Sequence, residues 1–286
     1  MTEFDRALLA LNDTTPEAEQ VQLRLLREKS PSERAGMAQR HSAEIIRLAR
    51  RAIQRLHPEF TESEIGRRFI ELQYGEELAK DVDAPGGSRM DHAIDMVDAL
   101  RPVLRELDRL GVRYYIGGSV ASSSHGVGRS TLDVDVVAEL NEASARSLME
   151  ALQDNYYVSQ PAVLDAVKRR SSFSLICLAT SFKIDIFVSQ DRAFDRSVLD
   201  RAKAELLGAA DPISVRLAAA EDIILLKLEW FRLGNEASQR QWDDVTQVVK
   251  LQGDQLDQGY LHHWANALGV ADLLDRLLSE VEMNGN

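Results

Sequence analysis

Residues 114–137 read YYIGGSVASSSHGVGRSTLDVDVV, and few patterns leave a chain less freedom. A short apolar run rich in β-prone residues stops at two glycines. From Leu132 the polarity then alternates residue by residue, the mark of a strand buried on one face. Between the two lies a short stretch of small residues that reads as a helix. Strand, glycine turn, helix and strand within one such segment require a sheet with a helix packed on it.

The alternation also places two acids. Side chains at i and i+2 of a strand share a face, with Cα atoms about 6.5 Å apart. Asp133 and Asp135 therefore stand together while Leu132, Val134 and Val136 face the core. Two ionised carboxylates this close repel unless a cation lies between them, and a hard divalent ion such as Mg²⁺ takes oxygen ligands of this kind. A D-x-D pair alone is also common on solvated strands. Asp185, in FKIDIFV, stands between isoleucines on what reads as a neighbouring strand. A lone carboxylate there is costly to bury without a partner. A metal site shared with Asp133 and Asp135 would supply one; an Asp185 that faces water is the alternative.

Gly117, Gly118 and Ser119 provide the complementary half. Glycine allows a tight turn and close approach of backbone to a ligand, and the helix that begins there offers unpaired N–H groups to a phosphate. The same residues also suit a plain turn. Gly126 and Gly128 precede Arg129, which is placed either to reach that phosphate or to form a structural ion pair. His125 reads as a helix-end residue.

Around this segment the chain divides by pattern. Residues 1–82 read as a helical module, with Ser30-Pro31 and His57-Pro58 as breaks and Thr61 and Glu64 as a capping box. A single helix is expected over residues 63–80. Arg47, Arg50, Arg51 and Arg55 read as a solvated helix face. Residues 83–89, within DVDAPGGSR, form the best linker. An independent module is expected from Met90, with an α+β core over 90–210 and a C-terminal helical region over 211–286. Within the core, YYVS is a short strand, SFSLICL and FKIDIFV form a hairpin around ATS, and the chain after Lys203 is helical throughout. Docking of the 1–82 bundle over the site, restraining it, is a further expectation.

Taken together, GGSVASSSHGVGRSTLDVDVV and the later KIDIF resemble the nucleotidyltransferase superfamily of the DNA polymerase β type, and most closely its bacterial abortive-infection toxin-type and small-substrate members. The resemblance covers roughly residues 90–280. Gly128, Arg129 and Ser130-Thr131 match the family's approach to D-x-D with a shift of one residue. Lys227 in EDIILLKLEWFR, and Arg240 with Asp244 in RQWDDV, occupy the places of its downstream lysine and R-x-x-x-D helix. The resemblance implies a small mixed sheet with helices and a Mg²⁺-dependent transfer of an NMP group from an NTP. The acceptor would be a hydroxyl on a protein, a tRNA end or a small molecule, and the activity would be toxin-like in kind. Asp133, Asp135 and Asp185 would be catalytic and hold two Mg²⁺ ions. Gly117, Gly118, Ser119, Arg129 and Lys227 would bind the nucleotide, and Asp244 would hold Lys227 or Arg240 in place or stand as an ordinary helix-surface residue. Trp230, Phe231 and Trp242 read as core residues rather than a base pocket. The rival reading is a non-catalytic nucleotide-binding regulatory or toxin–antitoxin protein, with helices 1–82 meeting another part of the chain or a protein partner.

Charge and cysteine content narrow the classes further. The net charge of −12 opposes a broad nucleic-acid surface, which needs a basic stripe. The one cysteine, Cys177, sits in an apolar run and forms no internal disulfide, which fits core packing and a cytoplasmic setting. No run approaches the roughly 18 apolar residues of a membrane span.

Overall fold

The computed structural model describes residues 15–80, 96–208 and 211–285. The linker expected at 83–89 and the module start at Met90 lie outside these. The described part is α+β. Its seven-stranded mixed sheet runs in the order β3-β4-β5-β2-β1-β7-β6, with β1 Tyr114–Ile116, β2 Asp133–Ala138, β3 Tyr156–Val158, β4 Ser172–Cys177, β5 Lys183–Val188, β6 Lys203–Leu207 and β7 Ile213–Leu217. The pairs β2/β5 and β1/β7 are parallel and the other four are antiparallel.

Among the described residues, 15–80 form four helices: α1 Pro16–Arg27, α2 Pro31–Leu56, α3 Glu62–Tyr74 and α4 Glu76–Lys80. Both Ser30 with Glu33 and Thr61 with Glu64 form capping boxes, each satisfying exposed N–H groups at a helix start. The single helix expected over 63–80 is instead broken at Gly75, where φ is +96°. Only glycine takes that conformation readily, and the break leaves Tyr74 at a helix end. Arg50 also departs from expectation. It is 6% exposed, and its guanidinium donates to Glu62 at 3.1 Å.

The remaining helices are α5 Met96–Arg109, α6 Gly118–His125, α7 Glu142–Leu152, α8 Gln160–Arg169, α9 Ala193–Arg201, α10 Ala220–Leu233, α11 Gln239–Gln252, α12 Gln258–Leu268 and α13 Ala271–Gly285. Strands β6 and β7 correct the expectation that the chain is helical after Lys203. Ile213-Ser-Val-Arg-Leu217 alternates buried and exposed, as its sequence does, and pairs with β1 in the sheet.

Burial divides the two faces of the central strands. Val134, Val136, Ile184 and Ile186 are fully buried and share one core with Leu100, Val103 and Leu107 of α5 and Leu148 of α7. At about 25 cal/mol per Å² of apolar surface removed from water, this face holds β2 and β5 in register. The same register carries the polar side chains of those strands to the other face. There α6 packs against β2, α2, α10 and α11. Cys177 is buried in the core. No described helix is long and apolar enough to cross a membrane.

Candidate active site

The sheet sets the first relationship. In the parallel pair, Asp135 of β2 is the register partner of Asp185 of β5, and Asp133 is the partner of Lys183. Because register partners point the same way and side chains alternate along each strand, Asp133, Asp135, Lys183 and Asp185 occupy one face. All four are partly buried. Two neighbours hold Asp185. Ser174 Oγ donates to its Oδ1 at 2.6 Å, and Lys183 Nζ donates to its Oδ2 at 2.6 Å. Asp133 Oδ1 accepts from the Thr131 hydroxyl at 2.7 Å.

Asp135 carries the strain of the arrangement. Burial first, then the charges of Asp133 and Asp185, push its carboxyl up to about 6; Lys227 and Lys183 offset this only in part. Three carboxylates and two lysines thus share one field. The groups that disfavour charge on Asp135 are those that a cation would offset.

The glycine turn meets Asp135 directly. Gly117 N–H donates to Asp135 O at 2.9 Å, joining the end of β1 to β2. Gly118 has φ +52°, and a β-carbon on it would lie 1.6 Å from Asp135 Oδ2. The carboxylate therefore sits against the bare backbone at the start of α6. The first N–H groups of that helix have no partner within it and carry its partial positive charge. A helix start of this kind suits an anion.

Beside this turn lies an ion-pair network. Arg129 donates through Nε to Asp244 Oδ1 at 2.7 Å and through Nη2 to Asp244 Oδ2 at 2.9 Å and Ser119 Oγ at 2.6 Å. Lys227 Nζ reaches the same carboxylate at 2.8 Å and Gln241 Oε1 at 3.0 Å. Burial works against the charge on Asp244, but hydrogen bonds and attraction from Arg129 and Lys227 outweigh it and hold its carboxyl below the ordinary value. Asp244 thus holds Lys227, one of the expected alternatives, and its other cation is Arg129. Of the aromatics, Phe231 and Trp242 are 5% exposed; Trp230 is 54% exposed, edge-on to Phe187 of β5. His125 Nε2 lies 2.8 Å from Ala218 O, a structural bond at the end of α6.

Among the described residues, no three His, Cys, Asp or Glu side chains are drawn together as an ion cage. Asp185 is taken up by Ser174 and Lys183, and Asp133 by Thr131. The donor set still fits a hard divalent ion. It offers only oxygens, from one face of two adjacent strands, and its central member resists ionisation near its companions.

Sequence reasoning left out Lys183 and Ser174, although Lys183 lies two residues from Asp185 on an alternating strand; it named Thr131 only as part of the approach to D-x-D, without its bond to Asp133. It also left out Ser42 and Tyr74. Ser42 Oγ accepts from Thr131 N–H at 2.8 Å, and Tyr74 OH donates to Leu132 O at 2.8 Å. No local signal announces either.

No protein-family model matches the chain, and no curated protein matches it. Among solved structures, it is similar to the antibiotic-resistance factor ANT(2'')-Ia in solution at 14% identity and TM-score 0.38, over 65% of this chain and 95% of that one. An antigenic nucleotidyltransferase-like protein from Paracoccidioides brasiliensis matches at 18% identity and TM-score 0.39, over 64% and 92%. ANT(2'')-Ia in complex with adenylyl-2''-tobramycin matches at 13% and 0.38, over 60% and 95%. Likeness this distant assigns no activity, and the chemistry must come from the site itself.

Proposed function

We propose that the chain is a divalent-metal-dependent nucleotidyltransferase that moves an NMP group from an NTP to a hydroxyl acceptor. The observation that carries this reading is the register of Asp135 opposite Asp185, with Asp133 two residues away and Gly118 bare against Asp135. An anion-binding helix start and a cation-seeking carboxylate set meet at one point, and a metal-bound triphosphate has both charges.

Asp133, Asp135 and Asp185 would hold Mg²⁺, two ions in the family arrangement, which when bound neutralises phosphate charge and lowers the pKa of an acceptor hydroxyl. The chain's own groups do the rest. Backbone N–H groups at the start of α6, with Ser119, grip the triphosphate. Arg129 orients Ser119 and adds positive charge beside it. Lys227 places a second positive charge near Asp135, and Asp244 keeps both cations from collapsing onto the carboxylates. The acceptor oxygen bonds to the α-phosphorus as the bond to the β-phosphate oxygen breaks, and pyrophosphate leaves. The hydroxyl proton passes to Asp185, which Ser174 and Lys183 hold in a fixed orientation. Positioning and charge stabilisation supply most of the acceleration in phosphoryl chemistry of this type.

The acceptor is a protein side chain, an RNA end or a small molecule, and the acidic surface disfavours long nucleic-acid contacts. The test is release of pyrophosphate from each of four NTPs with Mg²⁺, alongside labelling of an acceptor in cell lysate. Wild-type turnover that Asp133→Asn with Asp135→Asn abolishes supports the reading. NTP binding with no turnover and no labelled acceptor overturns it in favour of a regulatory nucleotide-binding protein.

A further inference from the structure

We propose that Ser42 of α2 and Tyr74 of α3 are positioning residues for Asp133, so that the helical segment 15–80 forms part of the active site. This rests on the metal-dependent reading of the carboxylates given above.

A continuous hydrogen-bond chain runs from α2 to the first carboxylate. The Ser42 hydroxyl donates to Ala38 O at 3.0 Å and accepts from Thr131 N–H at 2.8 Å. The Thr131 hydroxyl then donates to Asp133 Oδ1 at 2.7 Å. Ser42 is 2% exposed and Thr131 5%, so both links are shielded from bulk solvent. The Thr131 hydroxyl also lies 3.2 Å from Asp133 O, so both of its contacts are to Asp133, and the path fixes where Thr131 stands and hence which way the Asp133 carboxylate turns.

Tyr74 acts on the next residue. Its hydroxyl donates to Leu132 O at 2.8 Å, and Lys183 Nζ lies 5.6 Å from the centre of its ring. Lys183 in turn donates to Asp185. One side chain from α3 therefore touches the approach to β2 and the cation that holds the third carboxylate on β5. The break at Gly75 is what leaves Tyr74 free to reach both.

The same helices also brace the loop between α6 and β2. A β-carbon on Gly128 would meet Ala38 Cβ at 3.2 Å and Arg34 O at 3.3 Å, so α2 lies directly on that loop. Arg34, 6% exposed, donates to Ser124 O at 2.7 Å near the C-terminal end of α6. The start of α6 is the end that meets Asp135. Contacts of this pattern brace the carboxylates from the side of that loop.

The test uses the full chain with Ser42→Ala, Tyr74→Phe and Ser42→Thr. A control, Arg27→Ala, removes the bonds from α1 to Leu251 O and Lys250 O on α11, far from Asp133 in the network. Each protein is measured for pyrophosphate release against Mg²⁺ concentration, for Mn²⁺ binding by calorimetry without NTP, and for thermal unfolding. Partners that orient a metal-holding group typically change affinity or activity by about 10- to 100-fold. The expected result is a loss of about tenfold in both kcat and Mn²⁺ affinity for Ser42→Ala and Tyr74→Phe. Recovery in Ser42→Thr and wild-type values in Arg27→Ala are expected with it. Should Ser42→Ala fail to fold, Tyr74→Phe, which keeps the ring, carries the test. Folded variants with unchanged Mn²⁺ affinity and kcat overturn the proposal, as does an equal loss in Arg27→Ala. If the wild type binds Mn²⁺ but releases no pyrophosphate, nucleotidyl transfer fails while the calorimetry still decides the positioning role. A wild type that does neither overturns both.

Discussion

A β-carbon on Gly118 would stand 1.6 Å from Oδ2 of Asp135 and 2.6 Å from its Cγ. No heavy atoms approach so closely without a bond, so a side chain at 118 must displace the carboxylate. The positive φ of +52° adds a conformational cost of about 1 kcal/mol or more for any residue with a β-carbon. Gly117 differs. Its φ is negative, and a β-carbon there would meet Tyr115 Cε2 at 3.5 Å, an ordinary contact. Gly118→Ala is therefore expected to lose pyrophosphate release and to unfold at lower temperature, while Gly117→Ala unfolds near the wild-type temperature. Equal behaviour of the two alanine variants would disprove the close approach.

The carboxylates themselves give a simpler expectation. Asp133→Asn and Asp135→Asn each remove a charged oxygen donor with almost no change in volume. Turnover should fall by about 10²-fold or more, the scale on which single electrostatic contacts to a transition state are lost. Far-ultraviolet circular dichroism should remain that of the wild type. Single-turnover assays at saturating NTP separate this loss from weaker substrate binding.

Asp135 predicts how stability depends on pH. Its folded carboxyl is raised from 3.8 to about 6, so the folded protein binds that proton more tightly than the unfolded chain does. Below pH 3.8 both forms are protonated and no penalty exists. Between pH 4 and 6 stability falls as the group is forced to ionise, and above about pH 6 the penalty is complete, at most about 3 kcal/mol. In EDTA-treated protein, Asp135→Asn should therefore raise the melting temperature at pH 7 by several degrees and change it little at pH 4. Added Mg²⁺ should raise the melting temperature of the wild type at pH 7 but not that of the variant. A variant that melts lower than the wild type at pH 7 would contradict the sign.

Asp244 is the only carboxylate bonded to both Arg129 and Lys227 among the described contacts. Lys227 is 6% exposed, and a buried ammonium without its partner is costly. Asp244→Ala should destabilise the protein by about 3–5 kcal/mol. Asp244→Ala with Lys227→Met should recover part of this in urea unfolding, because the orphaned charge is gone. Activity should not return with it, since the positive charge beside Asp135 is also lost.

Much of this was readable from local pattern. The spacing of Asp133 and Asp135, the apolar neighbours of Asp185 and the glycine pair before a short helix are all short-range signals. Each is a consequence of strand alternation or of glycine's freedom at positive φ. The capping box at Thr61 and Glu64 belongs to the same class. The strand β7 was equally open to reading, since ISVRL alternates, but β6 was not. Lys203–Leu207 is mostly exposed and is held as an edge strand by pairing with β7 rather than by its own pattern.

What tertiary structure alone decided is who stands beside whom. Parallel pairing of β2 with β5 brings Asp185 level with Asp135, though they lie far apart in the chain. The folding of α2 and α3 onto the loop before β2 brings in Ser42 and Tyr74. Asp244 meets Arg129 across two elements. Alternation, caps and turns follow from torsion angles and bonds within a few residues, so the sequence determined them by itself. Register and neighbourhood follow from burying one shared apolar face and satisfying every polar group left inside, a condition that only the whole chain can meet.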